Sequence, residues 1–331
     1  MSLRTNGFIA GALALPLLFL SGCGGGGGHT SAEKYYLVCA NTKIAYWQEA
    51  GAGMVKAARE LGVQAELVGP ETLDVKAEKE EFRRIMAKKP AGILVSPSNP
   101  DVLAEDIDAA IAAGIPVITI DSDAPKSKRL VFVGTNNYQA GIMGGNLVAK
   151  KLNGKGNLML FTIAGQANIE ERMHGYRDAL ASHPGIKIAE VVDMHGDARV
   201  VFDKMMEVAE KSKDKFDGFV ALEALAGREI AEVLDRKRVE GKLVVGMDTT
   251  GDTLDMVDKG KIEATISQKP FTMAYYGIRM LADLSVNKLP SLNINFAQDL
   301  RSPLPAFVDT GAALVDKSNL AEFRQAAANN K

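Results

Sequence analysis

Five apolar runs in this 331-residue chain end in side chains suited to holding a polyhydroxylated molecule. "ILVS" leads into Ser96-Pro97-Ser98-Asn99, "VITI" into Asp121-Ser122-Asp123, and "VFVG" into Thr135-Asn136-Asn137. Further along, "VVGM" leads into Asp248-Thr249-Thr250, and "ATIS" into Gln268. Carboxylates, amides and hydroxyls together supply acceptors and donors for hydroxyl-bearing ligands. An ionised carboxylate can accept two strong hydrogen bonds from vicinal hydroxyls, which a neutral side chain cannot match. Any one cluster reads equally well as a turn or a helix cap. Several at corresponding positions shift the balance toward a polar ligand.

The elements that would position these groups are legible as an alternation. The apolar runs are "YYLVCA", "QAELVG", "AGILVS", "GIPVITI", "LVFVG", "NLMLFTI", "KIAEVV", "FDGFVAL", "KLVVGM" and "IEATIS". Most lack strict alternation, as strands buried on both faces of a parallel sheet do. Between them lie segments with helical spacing. "DVKAEKEEFRRIMAKK" puts Val75, Phe82, Ile85 and Met86 toward one side, with charge opposite. Asn99 is placed as an N-cap with Pro100 at the first helical position, and Asn168, three residues before Glu171, reads as a variant capping box. Parallel neighbours require crossovers, so the rhythm predicts an α/β doubly wound fold. The strand count exceeds one sheet of usual size, and two such domains are expected. Open sheets of this kind bind ligands at the carboxyl ends of their strands, where the polar clusters fall.

The first residues are of another kind. Arg4 precedes a 13-residue apolar stretch, Phe8 to Leu20, interrupted by Pro16. That length suits an export signal rather than a membrane span, which takes about 20 apolar residues. Leu20-Ser21-Gly22-Cys23 resembles the lipobox of bacterial lipoproteins, in which the cysteine is lipidated and becomes the mature N-terminus. Gly24 to Gly28 then read as a flexible tether. The other cysteine, Cys39, sits in an apolar run and is expected to be a buried small hydrophobe. The formal charge of −2 offers no footprint for nucleic acid. No Cys- or His-rich cluster suggests a metal, and no cofactor is expected.

The ordered set "YYLVCANTKIAYWQEAGAGMVKAARELG", "PAGILVSPSNPDVL", "AAGIPVITIDSD", "VGTNNYQAG", "LVVGMDTT", "IEATISQKP" and "FVDTGAALVDKSNL" resembles bacterial periplasmic sugar-binding proteins of the ribose-binding type. The resemblance runs from Tyr35 to about Glu322 and keeps the motifs in order. It implies two doubly wound parallel-sheet α/β domains joined by a three-strand hinge, the type I periplasmic binding protein fold. Residues 35–135 plus 269–298 would form the N-terminal lobe and 136–268 plus 299–331 the C-terminal lobe, after a signal peptide over 1–22 and a tether over 23–34. It implies that Tyr46 and Trp47 stack on a sugar ring, and that Asp121, Asn137, Asp248 and Gln268 are polar contacts. Arg172 of "ERMHGY" matches the family's pocket arginine. The implied partners are a monosaccharide or sugar-like molecule, ABC permease subunits, and a membrane surface reached through the Cys23 lipid. A monomer outside the cytoplasm, in the periplasm or at the cell surface, is expected.

Three positions depart from the ribose pattern. Ser122 stands where arginine is common, Leu222-Glu223 where Asn-Asp is usual, and no aromatic precedes Asp197-Ala198-Arg199. These changes would enlarge the pocket and alter its donors. Glu223 is either a ligand acceptor or a carboxylate at a helix N-terminus. An enzyme is disfavoured. "FTIAGQAN" and "AGIMGGN" read as Gly-containing turns but fit neither a dinucleotide nor a P-loop motif, there is no G-x-S-x-G elbow, and His29, His174, His183 and His195 are scattered. An export signal in place of a helix-turn-helix headpiece argues against a DNA-binding regulator. A ligand-sensing module for a membrane receptor or kinase, using the same closure, stands as the alternative to transport.

Overall fold

The computed structural model describes residues 28–296 and 298–329. The expected export signal, Cys23 and nearly all of the glycine run lie outside them. The chain enters at β1 (Lys34–Val38) and alternates through α1 (Ala45–Leu61), β2 (Gln64–Val68), α2 (Val75–Ala87), β3 (Gly92–Val95), α3 (Pro100–Ala112), β4 (Val117–Ile120) and β5 (Phe132–Gly134). It then repeats the plan. α4 (Asn137–Lys151) leads to β6 (Lys155–Thr162), α5 (Ala167–Ala181), β7 (Gly185–Asp193), α6 (Ala198–Lys211), β8 (Gly218–Ala221), α7 (Ala226–Arg236), β9 (Leu243–Met247), α8 (Gly251–Asp258) and β10 (Ala264–Ser267). α9 (Pro270–Val286), β11 (Phe307–Asp309), β12 (Ala313–Asp316) and α10 (Leu320–Asn329) complete it. All ten apolar runs become strands.

Two six-stranded sheets result, with orders β11-β5-β4-β3-β1-β2 and β12-β10-β9-β8-β6-β7. The orders are equivalent: β1 matches β6, β4 matches β9, and so on. All neighbours are parallel except β12, which runs antiparallel to β10. Interior strands β1, β3, β4, β8, β9 and β10 are almost wholly buried, whereas the edge strands β2 and β7 are partly exposed along their length, as a doubly wound sheet dictates. The first lobe packs α1 and α9 against Leu37, Ile93, Leu94 and Ile118. In the second lobe, separate clusters built on Phe161 and on Leu160 cover opposite faces of the sheet.

Helix ends follow their side chains. Asp74 and Asn99 cap α2 and α3 by accepting two backbone N–H bonds each, and α1 ends at Gly62 in the left-handed conformation. Asn168 is a correction. α5 begins at Ala167, so Asn168 lies inside its first turn, and its side chain is drawn to a buried acceptor instead. "AGIMGGN" is a second correction, since it lies within α4 and not in a turn. Cys39 is fully buried at the end of β1, where loss of water pushes its thiol up to about 12.

The chain passes between the sheets three times, at Thr135–Asn136, at Gln268–Lys269 and between β11 and β12. Two crossings are laced together: Thr310 donates its backbone N–H to Gly134 O at 2.8 Å, and Asn136 N–H reaches Asp309 Oδ1 at 3.2 Å. Residues 307–309, within the stretch assigned from sequence to the second lobe, form β11 and pair with β5 of the first sheet. At the other end, residues 29–34 do not simply dangle: Glu33 accepts hydrogen bonds from Tyr35 and Ser285 and meets His29.

Candidate ligand-binding site

β4 and β9 are equivalent strands, and each ends in an aspartate. Asp121 has φ 64° and Asp248 φ 67°, both in the left-handed region. Their backbone amides still belong to the sheets, donating to Val133 O and Ile266 O respectively. Ser122 N–H returns to Ile120 O at 2.7 Å, closing a three-residue turn around Asp121. Aspartate tolerates this geometry because its short side chain is polar. The strain is of order 1–3 kcal/mol, and both carboxylates line the cleft between the lobes.

That cleft encloses about 620 Å³, its open mouth included, and draws on both lobes. Tyr46, Trp47, Asp121, Arg172, Glu223, Asp248 and Gln268 all line it, and Asn137 does not. Ile44, Leu73 and Ile163 supply apolar wall. Lobe-to-lobe contact occurs at its rim, where Gly196 sits so near Leu73 that a methyl group on the glycine would press against that side chain.

Arg172 organises the second lobe's half. It reaches the cleft from α5 with Nε donating to Asn137 Oδ1 at 2.8 Å, Nη1 to Leu222 O at 2.7 Å and Nη2 to Gln268 Oε1 at 3.0 Å. Gln268 Nε2 in turn donates to Asp248 Oδ1 at 2.9 Å. Asn137 therefore supports the site from behind: its own Nδ2 donates to Thr135 O, and its oxygen fixes the guanidinium. Leu222 takes part through its backbone carbonyl, which side-chain types do not reveal.

The first lobe centres on Asp121. Tyr46 OH donates to Oδ1 at 2.6 Å, and Ser96 Oγ approaches Oδ2 at 3.4 Å. From the opposite lobe, Asn168 Nδ2 donates to the same Oδ2 at 3.0 Å. Tyr46 thus holds Asp121 through its hydroxyl, while its ring meets Trp47 edge-to-face with centroids 5.1 Å apart. Glu223 sits at a helix N-terminus and also lines the cleft. Its oxygens accept the backbone N–H groups of Leu225 and Ala226 at 2.7 Å, fixing the start of α7, and it faces the cleft.

Several polar residues at strand ends proved to be caps. Asn136 and Thr250 cap α4 and α8, and Asp123 is held by Arg129 in a partly buried ion pair. Asn168, read from sequence only as a cap, lines the cleft, and Glu78, which the sequence did not mark, supports its wall from behind. Glu78, wholly buried on α2, accepts Ser98 N–H and Oγ–H and so fixes the β3–α3 loop that lines the cleft.

Burial dominates the ionisation of the cleft. It raises Asp121, takes Asp248 to about 6 and Glu223 to about 7, with Arg172 pulling each back down. A raised carboxyl binds protons more readily folded than unfolded, so stability falls as pH climbs from the ordinary value to the raised one. For Asp248 the window is about pH 4 to 6, and a shift of about two units is worth about 3 kcal/mol. Ligand-free D248N should therefore melt above the native chain at neutral pH, the gap closing toward pH about 4. Thermal unfolding across that range checks it; a constant gap would deny Asp248 its raised value.

Two doubly wound lobes meeting across a polar, carboxylate-bearing cleft define a two-lobed small-molecule-binding protein. Residues 35–289 match the periplasmic binding protein domain, and the chain belongs to that family. It is 28% identical to the ribose import binding protein RbsB of Escherichia coli over 203 residues, 56% of this chain and 62% of that protein. Among solved structures it is similar to AraP, an arabinose-binding protein from Geobacillus stearothermophilus, at 33% identity and TM-score 0.71, over 88% of this chain and 99% of AraP. A carbohydrate transporter solute-binding protein from Agrobacterium radiobacter, in complex with D-arabinose, aligns at 27% identity and TM-score 0.80, over 89% of this chain and 98% of that one.

Proposed function

We propose that this chain is a lipid-anchored, extracytoplasmic receptor that captures a monosaccharide or related polyol and delivers it to an ABC importer by lobe closure. The observation that carries this reading is the pair of left-handed aspartates at equivalent strand ends, one per lobe, facing a single cleft. A ligand bridging Asp121 and Asp248 gains contacts to both halves together only when they are closed, which shifts the population toward closure. In this reading the lobes comprise 35–135 plus 269–298 and 136–268 plus 299–331, with β11 lent to the first sheet. Tyr46, Trp47, Asp121, Arg172, Glu223, Asp248 and Gln268 contact the ligand or its nearest supports, with Asn137 behind Arg172. The names of the relatives, which concern ribose and arabinose, support a sugar. Cys23 carries the lipid, and the importer's permease reads closure.

The single tryptophan supplies the test. Trp47 is buried at the cleft, so saturable binding should change its fluorescence. The detergent-solubilised full chain, unfolded and refolded to strip carried ligand, is titrated with pentoses, hexoses and polyols. A saturable response to one of them is expected. Silence across the panel, with no thermal shift, overturns the sugar reading.

A further inference from the structure

The cleft's charges do not balance. Three carboxyl groups line it, Asp121, Asp248 and Glu223, against one cation, Arg172. Glu49 joins Asp248 in lining a smaller adjoining pocket. Arg172 does not offset them by direct pairing, because its three donated bonds go to the neutral oxygens of Asn137, Leu222 and Gln268. Asp121 and Glu223 are engaged by Tyr46, Asn168 and two backbone amides, all uncharged. Asp248 Oδ1 receives only Gln268, and Oδ2 accepts nothing among the described residues. Ser122, beside Asp121, brings no charge, and its buried hydroxyl has no partner. Water-excluded carboxylates are costly unless a cation answers them. The cleft also presents Tyr46 and Trp47, whose ring faces attract cations.

We propose that the ligand carries a positive charge: an amine-bearing polyol, such as an amino sugar, an aminoalditol or an imino sugar, with its ammonium facing Asp248. This deepens the sugar reading and rests on it. A primary ammonium supplies three charged donors and a secondary one two, which suit an open carboxylate oxygen better than a hydroxyl's single neutral donor. Its charge offsets the burial that raises Asp248 and Glu223, so binding completes their ionisation and releases protons to solvent.

Matched pairs decide it. Calorimetry on the full chain in detergent compares glucosamine with glucose and N-acetylglucosamine, glucamine with glucitol, and 1,4-dideoxy-1,4-imino-D-ribitol with ribose. In at least one pair the amine should bind at least about tenfold tighter than its neutral counterparts. That advantage should shrink to below about threefold in D248N, with E223Q as the second variant should D248N melt below the assay temperature. Neutral compounds that equal or exceed their amine counterparts in every pair overturn the charge inference while leaving sugar binding intact. An advantage unchanged in the folded variant also overturns it. Silence from every compound, charged and neutral, removes the sugar reading and this inference together.

Discussion

Replacing Arg172 by methionine should lower ligand affinity at least about a hundredfold and cost about 3–5 kcal/mol of stability. The side chain is 3% exposed and satisfies three oxygens on three different segments: Asn137 at the first crossing, Leu222 after β8, and Gln268 at the second crossing. Methionine fills the volume but strands all three acceptors, each worth about 1–3 kcal/mol when left dry. It also takes away the one positive charge that draws Asp121 and Asp248 toward ionisation. Lysine restores the charge but not the planar fork, and should recover only part of the loss. Asn137→Ala frees Nε and Thr135 O but leaves the guanidinium in place, so it should weaken binding less and melt above Arg172→Met. Thermal unfolding with titration calorimetry separates the two effects; an Arg172→Met protein that binds normally would remove the guanidinium from the site.

Gly175→Ala is expected to cost about 3 kcal/mol and to weaken binding although it touches no ligand. Gly175 on α5 lies so close to α4 that a methyl group would overlap Tyr138 O, and one at Gly141 would overlap Arg172 O. The two helices thus meet backbone to backbone, and they carry Arg172 and Asn137 into register. A methyl pushes them apart and lengthens the Nε–Oδ1 bond of 2.8 Å on which the guanidinium's aim depends. Gly251→Ala, at the start of α8 with nothing nearby, is the control and should be neutral or slightly stabilising. Equal melting of the two variants would refute the close-packing account.

What could be read from the sequence was whatever is local in period or composition. The ten apolar runs, the Asn99–Pro100 helix start and the polar strand ends all express backbone geometry over a few residues. Asp121, Asp248 and Gln268 were visible because a doubly wound sheet has one functional end. Arg172, Tyr46 and Trp47 came only through family resemblance, since nothing in their neighbours marks them. What stayed hidden depends on contacts between distant elements. Asn168 looks like a cap until the lobes set it beside Asp121. Glu78 looks like one more charge on an amphipathic helix until Ser98 is found above it. The glycines of "AGIMGGN" look like a turn, because their purpose is the approach of α5 some thirty residues later.

The equivalence of the two sheets bears on how this protein could acquire new specificities over generations. The same strand order in both lobes presents matching backbone positions to the ligand from opposite sides. Different side chains occupy them: Tyr46 and Asn168 each stand second in their helices, and Ser96 and Leu222 each follow the third strand of their sheet. A single substitution at one such end retunes one half of the grip and leaves the other half, the sheets and the crossings as inherited. Selection can therefore explore ligands one side at a time.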